Sequence, residues 1–144
     1  MSKGKILVTF QFLIIFLMFV FIKAKSKYFL LGIAILTISI IIGLLAIKEQ
    51  GNNDFNIRPD INPNCKLITT GVYKYIRHPM YFSVIFGMLG ILVAFFNYVE
   101  FILYIFLIFI MLVKLHYEEQ LWCNHTKEYL EYKKRTKKLI PFIY

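Results

Sequence analysis

Four apolar stretches divide the chain, and charged residues lie almost entirely outside them. The stretches cover residues 6–22, 28–47, 80–99 and 101–113. About 20 apolar helical residues cross a bilayer core, so the second and third are predicted to be clear spans and the first an adequate one. The fourth is short, unless it continues through residues 114–117 into the headgroup layer. The pattern predicts an all-α integral membrane protein with four transmembrane helices.

The first stretch could instead be the apolar core of a cleaved signal peptide, because the basic residues Lys3 and Lys5 precede it. Lys23-Ala24-Lys25 follows it directly, and no small-x-small cleavage site is evident. We therefore predict that this stretch is retained as a helix, in which Gln11 is the only strongly polar residue.

Basic residues are distributed unevenly around the four stretches. Most of the 17 lysines and arginines fall before the first helix, in the loop between the second and third, or in the C-terminal tail. The positive-inside rule then predicts that both termini and this long loop are cytoplasmic. Most of the basic residues that give the net charge of +9 are those expected on the cytoplasmic side of the membrane. They flank the transmembrane helices and do not form a soluble basic domain, so the charge does not favour nucleic-acid binding.

The start of the third helix is marked by Pro79, whose missing N–H is not needed in a first turn. His78 would lie at the N-cap edge, where free backbone N–H groups can receive an anion. Small residues then recur on one face, at Ser83, Gly87, Gly90 and Ala94. Such a face permits close approach of another helix or of a bound cofactor, and helix packing is the preferred interpretation.

Residues 115–135 are predicted to be helical, with an interruption near residues 124–126. Polar and aromatic residues recur there at helical spacing, at Glu118, Trp122, His125, Tyr129 and Tyr132. This pattern is typical of an amphipathic helix at the membrane interface. It does not account for adjacent carboxylates, Glu118 and Glu119, at the end of a membrane helix.

The third and fourth helices are joined by a short connection and must be antiparallel neighbours. One membrane mouth would then gather several polar and aromatic side chains: Tyr73, Arg77, His78, Tyr81, Lys114, Glu118 and Glu119. Cations, carboxylates and aromatic rings suit a zwitterionic or cationic ligand with an aromatic part. S-adenosylmethionine is one such ligand, and nucleotides and lipid headgroups are others.

The stretch LITTGVYKYIRHPMY, residues 67–81, resembles the LVTxGxYxxxRHPxY signature of the isoprenylcysteine carboxyl methyltransferase family. The Glu118-Glu119 pair and the tail EYLEYKKR, followed by LIPF, resemble the C-terminal end of the same family. The resemblance covers residues 55–144, whereas the first two helices match only in being hydrophobic. Phospholipid N-methyltransferases resemble the same core more distantly.

The resemblance implies a single membrane methyltransferase domain over residues 1–144. It would comprise two N-terminal helices (1–47), a cofactor loop (48–79), helices three and four (80–117) and a tail helix (118–144). The implied S-adenosylmethionine-binding residues are Lys66, Leu67, Ile68, Tyr73, His78, Pro79, Met80, Tyr81 and Glu118. Glu118 and Glu119 are exchangeable in this role, because the spacing to Tyr129 is shorter than in some members of the family. The implied substrate-binding residues are Lys114, Arg77 and Glu119, with Lys114 standing where the family has an arginine for the substrate carboxylate.

The implied reaction is methylation of the carboxylate of a small apolar or lipid-like acceptor, which enters from the bilayer and needs no catalytic acid or base. An amine acceptor would need a base, for which Glu119 or His125 is suitable. Alternatives are a phospholipid or amine N-methyltransferase, an NADPH-dependent membrane reductase and a non-catalytic scaffold.

The composition also bears on location and on metal binding. Abundant Ile, Lys, Asn and Phe suggest an AT-rich bacterial genome, and we therefore expect the protein in a bacterial inner membrane. Cys65 and Cys123 lack metal-ligand spacing, so no metal site is predicted.

Overall fold

The computed structural model describes residues 3–51 and 67–140, and most of these residues are helical. The helices are α1 (Lys3–Val20), α2 (Phe29–Gln50), α3 (Pro79–Ala94), α4 (Tyr98–His125) and α5 (Lys127–Arg135), and a 3₁₀ turn covers Gly71–Lys74. Within these ranges there is no β-strand, only an isolated parallel bridge between Ile76 and Lys137. The prediction of an all-α protein is confirmed for this part of the chain. The predictions for Lys66, Cys65 and most of the long loop lie outside the described residues.

Three helices, α1, α2 and α4, are long and apolar enough to cross a membrane, and α3 is shorter at 16 residues. The prediction that the third span is clear and the fourth short is therefore wrong. The cause is Asn97, whose side chain accepts a hydrogen bond from the N–H of Glu100 and caps the start of α4. The apolar run 80–99 is thus divided between two helices, and α4 extends over 28 residues.

The helices form an up-and-down bundle in which α2 packs on α3, α3 on α4, and α4 on α1. Its core lies between α1, α3 and α4, and its buried side chains include Met18, Met88 and Met111. The outward faces of α1, α2 and α4 carry exposed Phe, Leu and Ile side chains. Large exposed apolar surfaces are expected where helices face lipid.

The two short connections of the bundle lie at the same end. The N–H of Ser26 donates to the carbonyl of Ala94 at 2.8 Å. The amide nitrogen of Asn97 donates to the carbonyl of Phe21 at 3.2 Å. The opposite end therefore receives the RHP segment, the C-terminal halves of α2 and α4, and α5.

Glycine faces bring α2 and α3 into close contact. A Cβ atom added to Gly90 would lie 2.7 Å from the carbonyl oxygen of Gly32, and one added to Gly32 would lie 2.5 Å from the carbonyl oxygen of Gly90. The hydroxyl of Ser39 donates to the carbonyl of Ser83 at 2.7 Å. The small face of α3 thus packs against α2, as the preferred interpretation had it.

Candidate active site

The RHP segment is held by the C-terminal tail through backbone hydrogen bonds. The N–H groups of Arg77 and His78 donate to the carbonyls of Lys137 and Lys138, at 2.8 and 3.0 Å. The N–H of Lys137 donates back to the carbonyl of Tyr75 at 3.2 Å. The tail therefore fixes the backbone that enters α3, which sequence patterns did not predict.

Arg77 is buried and directs its guanidinium group at protein atoms. Its Nε and Nη2 lie 2.8 and 2.7 Å from Oε1 of Glu119. Its Nη1 donates to the carbonyls of Thr136, at 2.5 Å, and Lys133, at 3.2 Å. A guanidinium group can donate five N–H bonds, and here it joins α4 to the C-terminal end of α5.

Glu119 is the buried partner of this arginine. Its carboxylate also receives a hydrogen bond from the hydroxyl of Tyr129 at 3.5 Å and lies 3.8 Å from Nζ of Lys133. Its side chain is only 6% exposed. Because burying an unpaired carboxylate is costly, these contacts indicate that Glu119 stabilises the tail against α4.

Glu118 has a different environment from its neighbour. It is half-buried, and its Oε2 accepts a hydrogen bond from the hydroxyl of Tyr81. Burial and then the charge of Glu118 raise the pKa of the Tyr73 phenol to about 12. Tyr73 therefore faces the Glu118 carboxylate as a neutral hydroxyl at physiological pH.

His78 is the N-cap residue of α3, as predicted, and Pro79 occupies the first turn. Its ring stacks on the ring of Tyr81 with centroids 5.3 Å apart and planes 7° apart. Its Nε2 is buried without a hydrogen-bond partner among the described residues, and Oε1 of Glu119 lies 3.6 Å away, beyond hydrogen-bonding distance. His78 Nε2 therefore makes only a long contact with the Glu119 carboxylate in this part of the chain.

Lys114 is almost fully buried, one helical turn before Glu118. Its ammonium donates to Oε1 of Gln11, on α1, at 2.9 Å and lies 4.9 Å from the centroid of the Tyr81 ring. No ion pair among the described residues joins Lys114 to Glu118. Sequence reasoning did not connect Gln11 to the site, although its isolated polarity within an apolar run was a usable signal.

Aromatic side chains from α4 and α5 close the outer side of the cluster. Trp122 and Tyr129 stack with centroids 5.8 Å apart. The hydroxyl of Tyr132 donates to the backbone carbonyl of Tyr73 at 2.6 Å. Burial raises the pKa values of Tyr129 and Tyr132, so both remain hydrogen-bond donors. They anchor α5 over the 3₁₀ turn.

The remaining predicted residues are less closely involved. Leu67, Ile68 and Met80 are half-buried beside the turn and α3. His125 is exposed, and the centroid of its ring lies 6.0 Å from that of Trp122. Over residues 3–51 and 67–140, no group of three or more His, Cys, Asp or Glu could hold a metal ion.

A family model described as the isoprenylcysteine carboxyl methyltransferase family matches residues 30–123, more than half of the chain. The chain belongs to the isoprenylcysteine carboxyl methyltransferase family. Membership of this family makes it a membrane methyltransferase by type. No curated protein matches the chain.

The range of the family match differs from the range of the sequence resemblance. It begins in α2, which was expected to be similar in hydrophobicity alone, and it ends in α4 before α5 and the tail. The glycine contacts between α2 and α3 give a physical reason for α2 to be part of the family core. The family-matched region contains Tyr81, Lys114 and Glu118 but not Gln11.

Proposed function

We propose that this chain transfers a methyl group from S-adenosylmethionine to the carboxylate of an apolar, lipid-like acceptor. Family membership supports the reaction class. The observation that carries the specific proposal is the pairing of the Tyr81 hydroxyl with the Glu118 carboxylate, next to the buried ammonium of Lys114. Opposite charges close together at a membrane mouth suit two ligands that each carry a charge.

The residues fit S-adenosylmethionine in three respects. Tyr81 occupies one oxygen of Glu118, so the other oxygen can receive the ligand's ammonium group. The Nε2 of His78, which makes no hydrogen bond to the described residues, can exchange one with a polar group of the ligand. The first turn of α3 has N–H groups without intrahelical partners, which suit the ligand's carboxylate.

When bound, S-adenosylmethionine supplies an activated methyl group: its S–CH₃ bond breaks as an O–CH₃ bond forms at the acceptor, the bonding electrons go to sulfur, and no proton moves. The residues of the chain must position the acceptor and exclude water. Removing water from a carboxylate increases its reactivity, and positioning alone can supply about 7–11 kcal/mol. A catalytic base is therefore not required.

Lys114 is the residue we assign to the acceptor carboxylate. Its ammonium is buried between α1, α3 and α4, where a ligand entering from lipid would meet it. Arg77 and Glu119, expected at first to touch the substrate, are better assigned as positioning residues because they bond mainly to each other and to the tail. They hold His78 at the start of α3.

The site is proposed to face the cytoplasm. It lies at the end of the bundle that carries the C-terminal tail, and that tail is rich in lysine. The cofactor would enter from water at this end, and the acceptor sideways from the bilayer. This arrangement explains why a polar cluster lies at the boundary between lipid and water.

The experiment is methyl transfer from radiolabelled S-adenosylmethionine to N-acetyl-S-farnesylcysteine or palmitic acid by the purified protein in detergent. Base releases labelled methanol from a methyl ester but not from an N-methyl product. We expect base-labile label from at least one acid, reduced at least about tenfold by Glu118→Gln through loss of a charged hydrogen-bond partner.

The matched control is Glu131→Gln, which makes the same chemical change at an exposed position of α5. It should retain wild-type transfer. A folded wild-type protein that labels neither acid would contradict the proposal. Base-stable label in hexadecylamine would assign the chain to amine acceptors instead.

A further inference from the structure

The contact between Gln11 and Lys114 places a polar pair inside the helix bundle. Lys114 is 1% exposed and Gln11 is 5% exposed. Lys114 lies 16 residues into α4, about 24 Å along the helix axis, so a hydrocarbon core about 30 Å thick that begins at the start of α4 would include it near the opposite edge. A lysine at this depth is costly and marks a functional position by default.

The direct contacts of Lys114 among the described residues are with uncharged groups, and the nearby charge of Glu118 acts on it without forming an ion pair. An ammonium has three N–H donors, and in the described residues one of them is bound by the neutral amide oxygen of Gln11. The Tyr81 ring, 4.9 Å away, offers a cation–π contact. None of the salt bridges between described residues includes Lys114. Two N–H donors of the ammonium therefore remain for a ligand.

The neutrality of Gln11 is the informative feature. A glutamate at this position would form an ion pair with Lys114 and cancel the charge that an acidic ligand needs. An apolar residue would leave the ammonium free to turn away from the site. A glutamine fixes the direction of the ammonium and preserves its charge.

We propose that Gln11 is a positioning residue that holds the Lys114 ammonium for the carboxylate of the acceptor, and so makes the site selective for acidic lipid-like molecules. This inference rests on the proposed function, because it assigns the acceptor side of the same site. It also gives α1, which lies outside the family-matched region, a part in substrate selection.

The experiment compares binding of a carboxylic acid with binding of its own methyl ester, by calorimetry without S-adenosylmethionine. The probes are N-acetyl-S-farnesylcysteine and palmitic acid, each paired with its ester. Wild-type protein should bind at least one acid more tightly than its ester by about tenfold, the factor expected for a hydrogen bond to a charged group.

Two substitutions test the role of the amide. Gln11→Glu should abolish the preference for acid over ester, because the new carboxylate neutralises Lys114. Gln11→Met, which has similar size, should reduce the preference and raise the KM for the acid without changing kcat. Both should bind S-adenosylhomocysteine as wild type does, which a general loss of structure would not allow.

The outcomes separate this inference from the proposed function. Wild-type protein that binds neither acid better than its ester overturns the inference, as does a preference unchanged in Gln11→Glu. If Gln11→Glu does not fold, Gln11→Met decides in the same way. If wild-type protein shows no methyl transfer but binds the acid more tightly than its ester, the proposed reaction is contradicted and the role of Gln11 is supported.

Discussion

Adjacent residues at the end of α4 have different tasks because their side chains leave the helix in different directions. Successive residues of an α-helix are rotated by about 100°. Glu119 therefore meets Arg77 and the tail, whereas Glu118 meets Tyr81. The sequence left these two glutamates interchangeable, and the tail contacts distinguish them.

Substituting the two glutamates should separate stability from binding. Glu119→Gln removes the charge opposite the buried Arg77, so the free energy of unfolding should fall by about 3 kcal/mol. Glu118→Gln should leave it nearly unchanged, because Glu118 is half-buried and bonded to a neutral hydroxyl. Thermal unfolding in detergent measures both. Equal losses of stability in the two variants would contradict the division of roles.

Helix packing determines where the site lies. The glycine faces of α2 and α3 bring their backbones together, and α3 then presents His78 and Tyr81 to α4. In a membrane, burial of apolar surface contributes little to helix association, because the lipid is also apolar. Close packing of the helix backbones therefore stabilises the association instead. The position of Tyr81 therefore depends on contacts several turns away.

Gly90→Ala tests this contact. The added methyl group would lie 2.7 Å from the carbonyl oxygen of Gly32 and 2.8 Å from the backbone nitrogen of Leu36, neither of which can move easily. Overpacking of this kind costs about 1–3 kcal/mol, measured as a lower unfolding temperature.

The matched control for this substitution is Gly43→Ala. Its methyl group would come closest, at 2.8 Å, to the hydroxyl oxygen of Ser83, which can rotate. Alanine also has a higher helix propensity than glycine by about 1 kcal/mol, so stability should be unchanged or slightly higher. A comparable loss in both variants would show that backbone contact is not the cause.

The tail acts on the site through its backbone, and Lys137→Pro tests this. Proline removes the N–H that donates to the carbonyl of Tyr75, so the segment entering α3 should loosen. We expect weaker binding of S-adenosylhomocysteine by several-fold, measured by calorimetry. Lys137→Ala keeps the N–H and should bind as wild type. Equal binding by both variants would contradict a positioning role for the tail.

At the scale of the whole molecule, antiparallel helices bring together residues far apart in the chain. Local signals predicted what is local: Pro79 and His78 at the start of α3, the break at Thr126, and the first two apolar spans. The start of α4 was missed because a single side chain, Asn97, divides a continuous apolar run.

Other contacts could not be predicted from the sequence. The residues that form them lie in different elements, and no local sequence pattern relates those elements to one another. Gln11 and Lys114 meet only when α1 docks on α4. Arg77 meets Glu119 and Thr136 only when the tail folds back. The family signature did identify Tyr73, His78, Tyr81 and Glu118, which the structure brings to one end of the bundle. Their binding roles remain predictions.

The most direct test of the central claim is calorimetric binding of S-adenosylhomocysteine to the purified protein in detergent. We predict binding in the micromolar range, weakened at least about tenfold by Glu118→Gln and unchanged by Glu131→Gln. A folded wild-type protein that does not bind S-adenosylhomocysteine, or that binds NADPH in its place, would contradict the account.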